Sequence, residues 1–259
     1  MKISLIQTDI IWAEKERNLR MVEEQLHELT GYTDLVVLPE MFTTGFCTDQ
    51  LHLAEDMDGN TVSTLKTWAK KYQLALAGSF IASAQGGRCF NRAFFVSPDG
   101  TLSFADKRHL FTIGGEDRYF SPGNEKLIVH YKGFNIFILV CYDIRFPVWS
   151  RNVGNEYDLL VYTANFPLRR IDEWDILLKA RAVENQAYVC GVNRVGVDGY
   201  GIAYNGHSAV YDFKGKELAV ASDNESNVVN TEILIEPLWE YRQKFAVWNN
   251  ADGFEINVK

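Results

Sequence analysis

The amino-acid sequence predicts an α/β fold of four layers, α-β-β-α, with two mixed sheets packed face to face and helices outside. Three observations point to it. Asp34 to Leu38 (DLVVL), Phe134 to Val140 (FNIFILV) and Asp158 to Thr163 (DLLVYT) are short, nearly continuous apolar runs, and strands of that kind need cover on both faces. Such runs alternate with amphipathic helical patterns. The second half of the chain also resembles a repeat of the first, each half carrying βα units and its own hairpin, which implies two sheets rather than one.

Taken in order, Ile3 to Ile11 is rich in β-branched residues and reads as the first strand. Asn18 is expected to cap a helix whose apolar positions Leu19, Val22, Leu26 and Leu29 follow helical spacing, with Gly31 ending it. The DLVVL strand finishes in Pro39-Glu40, which leaves a carboxylate at the mouth of a buried strand. Met41 to Asp58 reads as a long loop of the sort that walls an active site. A helix from Thr61 to Tyr72 follows, with Val62, Leu65, Trp68 and Tyr72 on one face, and then a strand from Leu74 to Ile81. Gly86-Gly87 turns the chain into a hairpin, Asn91 to Val96 and Thr101 to Asp106, around the turn Ser97 to Gly100.

The second half opens on Phe134 to Val140, an apolar run that stops at Cys141. Pro147 to Arg151 is expected to start a short helix. Asp158 to Thr163 is a strand echoing DLVVL, Ile171 to Asn185 is a helix with Ile171, Trp174, Leu177, Leu178 and Ala182 inward, and Tyr188 to Asn193 is a strand. A glycine-rich loop spans Gly196 to Gly206. Ser208 to Phe213 and Glu217 to Ala221 make a second hairpin, Val228 to Ile235 adds a strand, and Pro237 to Phe245 is a terminal helix. Residues 1–259 are expected to form one domain, with about 236–259 a helix and tail whose Trp239, Trp248 and Phe254 suggest docking on another surface, within the chain or across an oligomer.

Composition narrows the partners. A formal charge of -8 at pH 7, with no Lys/Arg cluster, argues against nucleic acid and against an anionic membrane surface. No stretch approaches the length of a bilayer span, and MKISLIQTDIIW is too short an apolar run for a signal peptide. The 4 cysteines, Cys47, Cys89, Cys141 and Cys190, show neither CxxC spacing nor adjoining histidines, so no metal site is expected and a cytoplasmic protein with reduced thiols is.

Chemistry-bearing residues gather at predicted strand ends. On its own segment Cys141 fits a small core residue as well as a nucleophile, since free cysteines are often buried. A thiol needs a base or a nearby cation before it attacks, and Glu40 and Lys107 each follow a strand. Open α/β folds place active sites at those carboxyl ends, where the three would converge. The rival is a Cys-His pair, for which His109 is the best placed, but no papain-like partner set is recognisable.

Four ordered motifs carry a resemblance: LPEMFTTGF (38–46), DKRHLF (106–111) with Glu116 after it, CYDIRFP (141–147) and KARAVENQAYV (179–189). Together they resemble the nitrilase superfamily of carbon-nitrogen hydrolases. Within it, CYDIRFPVWSR and the closing WEYRQKFAVWNNADGF are most similar to the omega-amidase branch. The resemblance implies the α-β-β-α sandwich, a Glu40, Lys107 and Cys141 triad, Glu116 as a supporting acid that orients Lys107 or holds Glu40, no cofactor, and homodimers or larger homo-oligomers. It implies water and a small monoamide as substrates, such as 2-oxoglutaramate, 2-oxosuccinamate or succinamate.

In that chemistry the backbone N–H of Tyr142 is a candidate oxyanion donor beside Lys107. A substrate carboxylate wants an arginine, because a bidentate contact fixes geometry as well as energy. Arg145, Arg169, Arg170 and Arg181 lie near strand ends or on the following helix. Arg145 has Asp143 or Asp158 as alternative partners and Arg181 a neighbouring helix carboxylate, so Arg169 or Arg170 is preferred. Phe166 fits either a pocket wall or the core, and Cys47 a bystander in the wall loop. Another branch of the superfamily, a nitrilase or carbamoylase, stays open beside the omega-amidase reading, as does a non-catalytic binding protein on the same fold.

Overall fold

A computed structural model describes residues 1–84 and 86–257, so the last residues of the expected tail, Val258 and Lys259, lie outside the described residues. The first half contains β1 (Lys2–Gln7), α1 (Lys15–Glu28), β2 (Leu35–Val37), α2 (Asn60–Tyr72), β3 (Ala75–Ala84), β4 (Arg88–Val96) and β5 (Leu102–Asp106). The second contains β6 (Leu127–Tyr131), β7 (Phe134–Val140), β8 (Leu159–Ala164), α3 (Ile171–Asn185), β9 (Tyr188–Asn193), β10 (Val195–Val197), β11 (Ala203–Asn205), β12 (Ala209–Tyr211), β13 (Glu217–Val220), β14 (Asn227–Glu232) and α4 (Ile235–Lys244).

Two six-stranded sheets run in the orders β14-β1-β2-β3-β4-β5 and β13-β12-β9-β8-β7-β6, each with a parallel centre and antiparallel edges. One core lies between them, built from alternate residues such as Ile3, Leu5 and Val37 of the first sheet and Ile136, Ile138, Val140 and Val161 of the second. The opposite face of the first sheet packs on Leu19, Val22, Leu65 and Trp68 of α1 and α2. That of the second packs on Trp174, Leu178 and Ala182 of α3. Central strands with both faces covered are why DLVVL and FNIFILV show no polar alternation. The expected four-layer α-β-β-α sandwich is the observed architecture.

Several elements differ from expectation, each for a local reason. β1 stops at Gln7, and residues 8–11 leave the sheet to meet the start of β10, where Val195 N–H donates to Thr8 O at 3.1 Å and Asp9 bridges Val195. α1 begins at Lys15, and Asn18 is buried inside it rather than capping it. Its side chain accepts from Ile11 N–H at 2.8 Å and donates to the carbonyls of Ile11 and Thr43, tying α1 to the wall loop.

In place of a helix at Pro147 to Arg151, a 3-10 turn covers Cys141–Arg145, with the Asp143 carboxylate accepting from Val140 N–H at 3.1 Å. β6 is an unanticipated edge strand, and the glycine-rich loop contains the β10–β11 ribbon. β14 crosses back to pair antiparallel with β1, so the last strand belongs to the first sheet. Trp239, Trp248 and Phe254 are all partly exposed.

Candidate active site

The carboxyl ends of β2 and β7 meet at a cleft of about 310 Å³ lined by Glu40, Lys107, Cys141 and Tyr142. Both chains turn sharply there, and each turn puts a non-glycine residue in the left-handed region: Met41 (φ 46°), directly after Glu40, and Cys141 (φ 45°). Such backbone is held in place by its surroundings and clusters at functional sites. At Cys141 the surroundings are the 3-10 turn and Asp143, and the thiol is left only partly covered, 3.8 Å from Asn165 O.

Glu40, Lys107 and Glu116 form a buried ionic cluster. Lys107 Nζ donates to Glu40 Oε1 at 2.9 Å and to Glu116 Oε2 at 3.0 Å, with all three side chains wholly inaccessible to solvent. Burial opposes the ammonium charge, but the Glu116 and Glu40 carboxylates outweigh it and hold Lys107 above the usual lysine range. Burial also pushes the Glu116 carboxyl up, against the pull of Lys107, and Glu40 adds to the rise. The Cys141 thiol is pushed well above the ordinary range, first by burial and then by Glu40, with Lys107 acting in the opposite sense. Cys141 therefore rests as a thiol, and it ionises only by handing its proton to a base at hand.

Two asparagines hold this cluster. Asn91 on β4 donates through Nδ2 to Glu40 Oε1 at 2.7 Å and Glu116 Oε1 at 3.1 Å, and its own Oδ1 accepts from Ser79 Oγ at 2.9 Å. Asn165, just after β8, donates its backbone N–H to Glu40 Oε2 at 2.9 Å and its side-chain amide to Glu40 O at 2.6 Å. Phe111 N–H donates to Glu116 Oε2 at 2.6 Å. The sequence reading missed both asparagines as site residues. The signal for Asn165 was present, because it follows β8 as Glu40 follows β2; for Asn91 it was a lone amide inside the apolar strand RCFNRAFFV.

His109 does not join the thiol. Its Nδ1 lies 2.8 Å from Asp143 Oδ1, the same oxygen accepts its backbone N–H at 2.9 Å, and its ring stacks on Phe146 at 3.7 Å. It braces the segment bearing Lys107 against the turn bearing Cys141. Tyr142, in the first turn of the 3-10 segment, has no intrahelical acceptor for its N–H, which leaves that donor beside Cys141.

The arginines separate. Arg145 lines the cleft but pairs with Glu173, not Asp143 or Asp158, because the turn aims it toward α3. Arg181 is buried on α3, paired with Glu184 at 2.8 Å as a helix neighbour and donating to Ile144 O. Arg169 and Arg170 both line the cleft, and among the described residues neither has an ion-pair partner. Arg170 is half-buried over the rings of Phe111 (5.2 Å) and Phe166 (5.9 Å), and burial lowers its pKa. Phe166 lines the cleft and also packs on Trp174 at 5.3 Å, so wall and core are one residue. Cys47 is a buried residue of the wall loop, its thiol raised to about 11 mainly by burial.

A buried carboxylate–lysine pair beside a strand-end thiol, on a four-layer sandwich, is an arrangement suited to thiol-dependent hydrolysis, and similarity to known proteins points to the same class. The profile of the family described as carbon-nitrogen hydrolase matches residues 2–243, and the chain belongs to that family. It is 43% identical over 258 residues, covering 99% of this chain and 98% of the relative, to the omega-amidase YafV of Escherichia coli K12. It is 32% identical over 251 residues, 96% of each chain, to a 2-oxoglutaramate amidase of Bacillus subtilis. Among solved structures, XC1258 of Xanthomonas campestris, described as a CN-hydrolase superfamily protein with an arsenic adduct in the active site, superposes with a TM-score of 0.96 at 40% identity, covering 99% of both chains.

Proposed function

We propose that this carbon-nitrogen hydrolase is an omega-amidase, releasing ammonia from the terminal amide of small dicarboxylate monoamides such as 2-oxoglutaramate, 2-oxosuccinamate or succinamate. The observation that carries the reading is Arg170: a half-buried guanidinium with no carboxylate partner among the described residues, in the cleft that holds Cys141. An unpaired cation in a partly desolvated wall favours an anionic group on the ligand. The names of the E. coli and B. subtilis relatives support the same substrate class.

In this reading Glu40 accepts the Cys141 proton as sulfur attacks the amide carbonyl. The oxyanion is met by the Lys107 ammonium and the Tyr142 N–H, fixed donors beside the reacting sulfur. The protonated Glu40 returns its proton to the departing nitrogen, ammonia leaves and a thioester remains. Glu40 then deprotonates water, which attacks the thioester and releases the carboxylic acid and the thiol. Glu116 keeps Lys107 charged and in place, with Asn91 spacing the two carboxylates.

Residues 1–259 act in this reading as one catalytic domain, a view supported by the family match over residues 2–243. The enzyme is placed in the cytoplasm, in keeping with 4 free cysteines, and as a homo-oligomer, in keeping with the exposed Trp239, Trp248 and Phe254. Among the described residues no helix is long and apolar enough to cross a membrane. The test is ammonia release from 2-oxoglutaramate, succinamate, a simple nitrile and an N-carbamoyl amino acid. Turnover of the two monoamides is expected, and release from the nitrile or carbamoyl compound alone would overturn the assignment.

A further inference from the structure

The tip of the β10–β11 ribbon, Asp198 to Ile202, borders the cleft and is tied down from three directions. Asp198 Oδ1 accepts from the N–H groups of Tyr200 and Ile202, both at 2.9 Å, while its Oδ2 accepts from Tyr204 OH at 2.8 Å. Trp12 supports the tip from below, its ring edge-on to Tyr200 at 4.9 Å. A Cβ on Gly199 would come within 2.3 Å of Trp12 Nε1, and one on Gly45 within 3.3 Å of the same indole, so this ring is seated between ribbon and wall loop. Finally, Tyr200 OH donates to Asp49 Oδ1 at 2.5 Å, across 151 positions of sequence.

We propose that the Tyr200–Asp49 clasp, seated on Trp12, limits the length of acyl chain the cleft accepts and so confines the enzyme to short amides. The inference rests on the amidase reading for the substrate's orientation, with the reacting carbonyl at Cys141 and the far carboxylate at Arg170. Cys141 stands at the end of β7 and Arg170 at the head of α3, both on elements packed into the core, so the span between them does not stretch. A longer chain has to bow out of the cleft, whose volume of about 310 Å³ is at the small end for ligand pockets. The wall loop and ribbon tip offer it Asp49, Asp198 and tyrosines rather than a second cation. The clasp joins two exposed side chains, so its loss is expected to open the wall without unfolding the chain.

The test compares kcat/KM for succinamate, adipamate and pimelamate in the parent, Tyr200→Ala, Tyr200→Phe and Asp49→Ala. The pimelamate-to-succinamate ratio is expected to rise about 10-fold or more in Tyr200→Ala, the discrimination typical of a methylene or two in a pocket. Smaller and mutually similar rises are expected in the other two variants, because each removes the same hydrogen bond. A second readout needs no turnover: the rate at which N-benzyl iodoacetamide alkylates Cys141, divided by the rate for iodoacetamide, should rise in the same order. If the parent hydrolyses none of the monoamides, the amidase reading fails while the alkylation ratio still decides the clasp. Ratios in Tyr200→Ala within twofold of the parent in the alkylation assay would overturn it.

Discussion

The backbone N–H of Asn165 donates to Glu40 Oε2 at 2.9 Å, joining residues 125 positions apart and locking the end of β8 onto the end of β2. The carboxylate that serves as base in the proposed mechanism is thus positioned by the half of the chain that carries the thiol. With Lys107 and Asn91 on its other oxygen, Glu40 has little rotational freedom, which is the arrangement a proton shuttle needs.

The proposed roles make the triad the first test. Cys141→Ala should abolish ammonia release, and Glu40→Gln should lower kcat by about 10² to 10⁴, the range for a positioned acid–base group. Lys107→Met should lower kcat by at least about 10², from loss of an oxyanion donor, and also destabilise the fold by about 3–5 kcal/mol because two carboxylates are left buried without their cation. Steady-state kinetics and urea midpoints separate the two effects; a Lys107→Met protein of parental stability would contradict the buried cluster.

Asn91 is expected to matter nearly as much as the triad while touching no substrate. Asn91→Ala removes the donor shared by Glu40 and Glu116, leaving two buried oxygens short of a partner at a cost of about 1–3 kcal/mol. Because the base then shifts, kcat should fall about 10- to 100-fold with KM changed far less. A purely structural asparagine would lower stability without separating kcat from KM.

The raised Cys141 thiol gives a stability signature in alkali. Its folded pKa stands well above the unfolded value of about 8.5, so the native state favours the protonated form. The contribution is fully present below about pH 8.5 and is lost as pH rises through the window between the unfolded and folded values, by about 1.4 kcal/mol per pH unit at most. Urea unfolding of the parent against Cys141→Ala, from pH 7 to 10, isolates this group from Cys47 and Cys190, which burial also raises. A difference independent of pH would show that the thiol is not perturbed.

Arg170→Met should raise KM for succinamate by about 10- to 100-fold, the value of a hydrogen bond to a charged group, and leave butyramide hydrolysis nearly as in the parent. Arg145→Met is the control, since that guanidinium already pairs with Glu173. Equal losses on charged and neutral amides would remove Arg170 from substrate recognition.

Much of the fold was legible in the sequence because its determinants are local. β7 occupies Phe134–Val140, as its apolar run predicts, and α3 occupies Ile171–Asn185, as its inward apolar positions predict. Asn18 misled because asparagine both caps helices and braces buried backbone, and only the position of Thr43 O separates the two. β6 was missed because it is an edge strand with mixed polarity, LIVHY, whose place comes from pairing with β7.

By itself, the sequence determined the buried strands, the helices that cover them, and the presence of a carboxylate, a lysine and a thiol at the ends of such strands, because burial and backbone periodicity are written residue by residue. Tertiary structure alone decided that Asn91 and Asn165 grip Glu40, that Glu116 and Lys107 are wholly buried together, that Arg145 pairs with Glu173 while Arg170 has no carboxylate partner among the described residues, and that β14 returns to β1. Apart from the Lys107–Glu116 pair, those contacts join residues tens to hundreds of positions apart, and they depend on sheet order and register, which no local window of sequence contains.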